Sequence, residues 1–333
     1  GACAGGRFPR GVAGGEVRKV NLLTATGQSA DPEMKKIIDM MPSGGSINNF
    51  RVGDSTESLL RNTAGYSFIR RSNRARENVT SRMDYQQSEK SSFFGTYIWN
   101  RDILDRPTVT ATGFTAQPPV TNNDSRDLLS VGWRWTPTAN LTNELRGGFN
   151  LAPASFLNSD TPPAFFSGGL LFSNPVETLL NQGRNVKTYN FLDNANWVKG
   201  KHQVNFGVQS QIIRVRSYND AGIVPTYNLG ISTNQRGVDA TILPGANASD
   251  ISNANALLAN VAGLLNTANR TFNVADRQSG FVAGQTNVRN MVNDTFAWFA
   301  QDTWRVRRGL TLNLGVRWDY YARVEEANGL FLL

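Results

Sequence analysis

The sequence has few of the residues on which common catalytic and structural sites depend. Cys3 is its only cysteine and His202 its only histidine, so neither a disulfide framework nor a Cys/His zinc site can be assembled. Nucleophilic catalysis needs a base beside a serine or cysteine, and His202 stands next to a turn at the start of a strand pattern. The Gly-Gly pairs lack the lysine and strand–helix setting of a phosphate loop. We therefore predict a non-enzyme with no catalytic residue, no cofactor and no metal ion.

Long apolar runs are also missing, which excludes an ordinary transmembrane helix of about 20 apolar residues but not a barrel, whose strands are apolar on one face only. The formal charge of +8 would suit nucleic acid or anionic lipid headgroups. The arginines are scattered, with one local cluster at residues 70–76 in a polar connection, so we predict no nucleic-acid partner. The opening GACAGGRFPRGVAGG has neither the basic nor the apolar region of a signal peptide, and we expect the chain to be a fragment.

Apolar and polar residues alternate strictly over residues 310–321, LTLNLGVRWDYY. This period of two predicts a β-strand with one apolar and one wet face. A similar stretch precedes it, and Arg307-Arg308-Gly309 joins the two as a hairpin with a tight turn. Three more stretches share the design, and HQVNFGVQ (202–209) matches LTLNLGVR (310–317) position for position. The turns are predicted at Ser88–Lys90, Pro137–Asn140, Lys199–Lys201 and Arg307–Gly309.

Four hairpins give about eight antiparallel strands, and long polar segments separate them at about 103–126, 152–186 and 218–288. Short turns at one end and long loops at the other are typical of an outer-membrane β-barrel, with the turns on the periplasmic side and the loops outside the cell. The fold class is therefore predicted to be all-β, a portion of an antiparallel transmembrane barrel at the outer membrane. A soluble sandwich with an aromatic core, or a soluble glycan-binding β protein, is the less favoured alternative.

The alternation assigns residues to the two faces of the barrel wall. The polar parity predicts lumen-facing side chains at Glu144, Arg146, Asn205, Gln209, Asn313, Arg317 and Asp319. The apolar parity predicts lipid contact, with the interface aromatics Trp135, Trp197, Trp304 and Trp318 at the two membrane surfaces. Asp193 and Asp302 share the parity of the tryptophans; a bulge just before Trp304 or a position at headgroup level would explain them.

The leading residues 1–60 differ from the rest and are predicted to be a loop-rich segment, with the partial barrel over 61–333. Within them ADPEMKKIIDMMP predicts a short helix near 31–41, capped by Asp31 and opened by Pro32. A second helix is predicted over Ser252–Leu265, inside the longest loop.

Four stretches together carry a resemblance to a known family. FAWFAQDTWRVRRGLTLNLGVRWDYY, DNANWVKGKHQVNFGVQ, LRNTAGYSF and SRMDYQQSEKSSFFGTYIWNRD resemble the barrel of TonB-dependent outer-membrane transporters, in the Oar-like branch that carries a carboxypeptidase-regulatory-like domain. The resemblance runs from about residue 15 to the end. It implies a full protein with a signal peptide, a regulatory-like domain, a plug and a barrel of about twenty-two strands. No TonB box or plug can be aligned in this chain.

The function that follows is uptake of a nutrient, such as a carbohydrate, siderophore or peptide, by plug rearrangement. The expected partners are outer-membrane lipid, the plug domain, the TonB complex and a small-molecule or oligomeric substrate, which the loops 152–186 and 218–288 would recognise. The alternative is an adhesion or surface-binding barrel that transports nothing, and a plug in the parent gene would favour the transporter.

Overall fold

The structure is a computed structural model, and it describes residues 19–42, 44–53, 63–106, 114–160 and 164–331. Parts of the predicted leading segment, including residues 1–18, lie outside the described residues. The long strands are β1 (Arg74–Ser88), β2 (Ser91–Asp105), β3 (Val120–Thr138), β4 (Leu141–Asn158), β6 (Gln182–Lys199), β7 (His202–Asn219), β12 (Asn287–Arg307) and β13 (Leu310–Tyr321). The short strands are β5 (Phe165–Gly168), β8 (Thr226–Leu229), β9 (Leu265–Asn269), β10 (Phe272–Asn273), β11 (Val282–Ala283) and β14 (Glu325–Glu326).

The eight long strands form one antiparallel sheet in the order β1-β2-β3-β4-β6-β7-β12-β13. Each strand follows its spatial neighbour in the chain, so the four tight turns, centred on residues 89–90, 139–140, 200–201 and 308–309, all lie at one end of the sheet. The predicted four hairpins and the all-β class are confirmed.

The strands extend further into the predicted loops than the alternation indicated. β3 begins at Val120 and β4 ends at Asn158, and the register continues without interruption through Asn122↔Phe156 and Asp124↔Ala154. The residues 120–127, VTNNDSRD, carry no apolar period, because at this end of the sheet both faces of a strand can be polar. Backbone pairing with two neighbours still holds them in the sheet.

Among the described residues, three helices lie on the loop side of the sheet, apart from a 3-10 turn at Gly44–Ser46: α1 (Leu22–Thr26), α2 (Pro32–Asp39) and α3 (Ala248–Ala262). The predicted helix near 31–41 is confirmed, with Asp31 as N-cap and Pro32 in the first turn. The helix in the longest loop begins earlier than predicted, at Ala248, because Asn247 and Asp250 form a reciprocal capping box. It ends at Gly263, which takes a left-handed conformation with φ 65°.

The densest packing of the described residues is on this loop side and not within the large sheet. One buried cluster consists of Met34, Leu229, Val238, Leu258, Ala259 and Leu264, and a second consists of Phe165, Val176 and Leu180. We call the unit formed by α1, α2, α3 and the three-stranded sheet β5-β8-β9 the loop-side body. By contrast, every residue of β1 and of β13 is exposed.

Candidate functional site

The polar face of the large sheet collects all seven residues that the sequence assigned to the lumen. Cross-strand pairing forms one row, Glu144–Asn194–Gly207–Phe299–Arg317, and a second row two residues along each strand, Arg146–Leu192–Gln209–Ala297–Asp319. Because side chains alternate across a strand, a displacement of two residues keeps both rows on the same face. Asn205 and Asn313 lie on this face as well, through Asn205↔Gln301 and Thr303↔Asn313.

Charges on this face are arranged in ion pairs. The carboxylate of Glu144 lies 2.7 Å from the guanidinium of Arg134 on the neighbouring strand and 2.5 Å from that of Arg146 on its own strand. Arg317 contacts Asp319 at 2.7 Å. Thr303 donates its hydroxyl to Asn313 Oδ1 at 2.9 Å. The face is thus a solvated wall of both charge signs, on which paired side chains hold one another in place.

The opposite face carries the four tryptophans that the sequence assigned to the membrane surfaces. Trp135, Trp197 and Trp304 lie within a few residues of the tight turns, and Trp304 pairs with Leu312. Trp133 and Trp135 stack with ring centroids 5.7 Å apart. Further along the strands, Trp318 stacks on Tyr320 at 6.0 Å.

On β7 this apolar face is bounded by a polar or charged residue at each end. On β7 it runs from Val204 to Ile212, with His202 before it and Arg214 after it. The twelve steps from His202 to Arg214 correspond to about 40 Å of strand, or about 28 Å of height at a tilt of about 45°. An apolar band of an outer-membrane barrel is about 25 Å tall, so at that tilt the two residues that flank the band on β7 would lie about one bilayer core apart.

Asp193 and Asp302 remain on the apolar face, and each has a polar partner there. The register is continuous from Asp302 to Trp304 and shifts only after Arg305, so a bulge just before Trp304 is not the explanation. Asn143 donates to Asp193 Oδ1 at 2.7 Å. His202 Nδ1 lies 2.6 Å from Asp302 Oδ2, and the His202 ring stacks on Trp304 at 5.4 Å.

The loop-side body contains a cavity of about 630 Å³. Residues from three separate parts of the chain line it: Asp31, Glu33, Met34, Lys36, Ile37 and Met40 from α2 and its cap; Asp160, Ala164, Phe166 and Val176 from the connection between β4 and β6; and Tyr227, Leu229, Gly263 and Leu265 from the long loop. The lining is mainly apolar, with three carboxylates and one lysine. Glu33 and Lys36 contact each other at 2.6 Å, which leaves Asp31 and Asp160 as the excess negative charge.

Close backbone contact fixes α2 against α3 beside this cavity. Asp31 accepts the Met34 N–H at 2.8 Å as the helix cap, and its own N–H donates to Val261 O at 3.0 Å. A Cβ added at Gly263 would lie 2.8 Å from the Asp31 Cβ, so only glycine allows this approach. The sequence predicted the two helices and the loop 152–186, but not that they meet, because no local pattern records contacts between distant segments.

Two carboxylates that accept backbone hydrogen bonds stabilise segments between or after the long strands, outside the membrane. Burial would raise the pKa of Glu326, but backbone N–H groups of Asn290, Leu330 and Asn328 donate to it and outweigh burial, so its pKa is lowered. Asp239 accepts from the hydroxyl of Thr241 and from two backbone N–H groups, and its pKa is lowered for that reason. Both groups are therefore ionised at neutral pH; Asp239 holds a turn of the long loop 218–288, and Glu326 holds the turn that follows β13.

In the described part of the chain, no group of three or more Asp, Glu, His or Cys side chains could hold a metal ion. Over the same residues, no helix has the length and apolar character needed to cross a membrane.

The two-faced antiparallel sheet, with tight turns at one end and long connections at the other, is the wall of an outer-membrane β-barrel. A family model described as "Outer membrane beta barrel domain" matches residues 21–331. The chain therefore belongs to this family, and its location is the cell outer membrane. Comparison with curated proteins finds no match.

Solved structures similar to the chain include one transporter and two receptors. They are the outer membrane transporter YddB from Escherichia coli, with 11% identity and a TM-score of 0.39 over 75% of this chain; the ferric-catecholate import receptor Fiu from E. coli K12, with 12% and 0.37 over 76%; and the siderophore receptor PiuA from Acinetobacter baumannii, with 11% and 0.35 over 75%. The chain spans 28%, 38% and 36% of their respective lengths.

Proposed function

We propose that the chain forms part of the barrel of a TonB-dependent outer-membrane transporter of the Oar-like branch, which takes up a nutrient and catalyses no reaction. The observation that carries the proposal is the two-faced sheet, whose polar face carries ion pairs while its other face carries an apolar band flanked by polar residues that would lie about one bilayer core apart at a tilt of about 45°. A polar lumen wall is what a solute pathway needs. The resemblance of the four hairpin sequences to this family adds the plug and the TonB complex as partners.

The free edges of the sheet support a barrel larger than these eight strands. Among the described residues, β1 and β13 are the two edge strands of the sheet: of the long strands, β1 pairs only with β2, and β13 pairs only with β12. In hydrocarbon, an unpaired edge leaves backbone N–H and C=O groups without partners, at a cost of several kcal/mol for each group. Further strands beside β1 and β13 would satisfy these groups, in agreement with the proposal that the chain is a fragment.

We place substrate recognition in the cavity of the loop-side body. It lies at the loop end, which in this family of folds faces the outside. Its apolar lining with excess carboxylates favours a substrate that combines an apolar group with an amine or several hydrogen-bond donors. A peptide fits this description better than a neutral carbohydrate does.

Dependence on TonB distinguishes a transporter from an adhesion or surface-binding barrel. We would express the full-length protein in cells with and without TonB and measure accumulation of a labelled oligopeptide, a maltodextrin and a ferric-catecholate siderophore. The proposal predicts that one of these accumulates only in cells with TonB. Equal surface binding in both strains, without accumulation, would instead identify a binding or adhesion barrel.

The cavity is tested with variants in the same cells. Asp160→Asn and Met40→Ala each remove one feature of the lining, and we expect each to lower uptake about tenfold, which corresponds to a loss of about 1.4 kcal/mol of binding free energy. Phe281→Ala is the matched control, because Phe281 is 75% exposed and does not line the cavity. Normal uptake by both cavity variants would show that the substrate binds elsewhere.

A further inference from the structure

The tight turns of two neighbouring hairpins bring five cations together at one corner of the sheet. We call Lys199, Lys201, Arg305, Arg307 and Arg308 the basic corner; all five are exposed. The turns of β6–β7 and β12–β13 are in direct contact. Arg305 N donates to Lys201 O at 2.8 Å, and Lys201 Nζ donates to Val306 O at 3.1 Å.

No carboxylate of these hairpins compensates the basic corner. The sequence holds no Asp or Glu over residues 194–219 or 303–318. Asp302 lies just before the second stretch, and its carboxylate is bonded to His202. Within the described residues, the ion pairs found involve none of the five.

Several arginines elsewhere on the long strands, by contrast, have a carboxylate partner. Arg134 and Arg146 share Glu144, Arg317 pairs with Asp319, and Arg74 and Arg76 share Asp102. Five like charges without a counter-charge repel one another. An anionic partner outside the described chain would relieve this repulsion.

The position of the corner on the sheet identifies the class of that partner. Lys199 lies on the apolar face with its Nζ 5.2 Å from the ring centre of Trp197, and the stacked rings of His202 and Trp304 lie on the same face. Aromatic rings beside cations mark the headgroup level of a bilayer. Since tight turns lie on the periplasmic side, this is the inner leaflet of the outer membrane.

We propose that the basic corner is a binding site for the phosphodiester of anionic phospholipids in the periplasmic leaflet. Lys199 and His202 approach the headgroup from the apolar face, while Lys201, Arg307 and Arg308 supply charge from the turns. The site orients this edge of the barrel in the bilayer and takes no part in recognition of a transported solute.

The test uses the full-length protein, stripped of lipid in neutral detergent, and measures binding of headgroup-labelled phosphatidylglycerol against phosphatidylcholine. We expect at least a tenfold preference for phosphatidylglycerol. The triple variant Lys199→Gln/Lys201→Gln/Arg307→Gln should weaken phosphatidylglycerol binding tenfold or more, since each cation near an anionic surface contributes several-fold to binding. Added salt should weaken wild-type binding more than that of the variant.

A matched control separates a local site from overall charge. Arg126→Gln/Arg184→Gln/Arg323→Gln removes the same charge at the loop ends of the strands, and we expect it to keep the wild-type preference. Circular dichroism and heat-modifiable gel mobility check that both triple variants are folded.

Three outcomes would overturn the proposal. One is equal loss of binding in both triple variants, which would reduce the effect to net charge. A second is displacement of the lipid by inorganic phosphate at matched ionic strength, which would make free phosphate the ligand. The third is no preference for phosphatidylglycerol together with tight binding of polyglutamate, which would indicate an acidic protein partner.

Discussion

An arginine placed at Val316 should separate the lipid face from the polar face of β13. Val316 pairs with Ala300 and lies on the apolar parity with its side chain 54% exposed. It is six residues beyond Leu310 at the tight turn, which places it about 20 Å along the strand and about 14 Å in height at a tilt of about 45°. That is close to the middle of an apolar band about 25 Å tall.

The expected penalty follows from this depth. An arginine facing lipid at the midplane destabilises an outer-membrane barrel by about 2–4 kcal/mol, so Val316→Arg should lower the free energy of unfolding from vesicles by that amount. Asn313→Arg lies on the polar face opposite Thr303 and should change it by less than about 0.5 kcal/mol, as at other hydrated surface positions. The measurement is reversible unfolding of the full-length protein from phospholipid vesicles.

The sequence alone would select Leu314 for this test, but the structure shows why it is a poorer choice. Leu314 lies directly across from Asp302, so an arginine there can pair with a carboxylate. We expect Leu314→Arg to cost less than Val316→Arg, and we expect the full penalty to return in the Asp302→Asn background. A penalty for Asn313→Arg that equals or exceeds that of Val316→Arg would refute the face assignment, because a register slip of one residue exchanges the faces.

Two further predictions concern the packing of β4 against β3 and the turn that follows β13. Gly148→Ala places a Cβ 2.2 Å from the Leu129 carbonyl oxygen, whereas Gly147→Ala meets nothing closer than 3.8 Å, so the first should cost about 1–3 kcal/mol of stability and the second little. Glu326→Gln should speed amide exchange at Asn328 about tenfold or more at pH 7, through lost hydrogen bonds to a charged group. Because the folded pKa of Glu326 is lowered, this difference from wild type should shrink as the pH falls through the ordinary carboxyl range towards that pKa; a difference that persists in acid would contradict it.

The hairpins could be predicted from the sequence because each is a local object. Both strands of a hairpin show an apolar period of two, and a turn residue such as Gly309 lies between them, so one continuous stretch of sequence indicates the pairing. The polar start of β3 could not be predicted in this way, since VTNNDSRD has no apolar alternation and is held by backbone pairing with β2 and β4. The parallel pairing of β5 with β8 joins residues about sixty positions apart, and no local signal marks it. The division at residue 60 stays a prediction.

Three polar or charged residues on the apolar face each have a polar partner on the neighbouring strand, which the alternation of apolar and polar residues does not predict. Asp193 has Asn143 as a donor, Asp302 has His202, and Arg214 pairs with Asp294 near the loop end. Each pair joins two neighbouring strands, so its members are far apart in sequence and each residue taken alone violates the pattern. A buried or lipid-facing polar group is tolerable when it is hydrogen-bonded and costly when it is not. Removal of one partner, as in Asn143→Leu, should therefore destabilise the sheet more than removal of both Asn143 and Asp193. If the hydrogen bond between the two side chains had no stabilising role, the effects of the two substitutions would simply add.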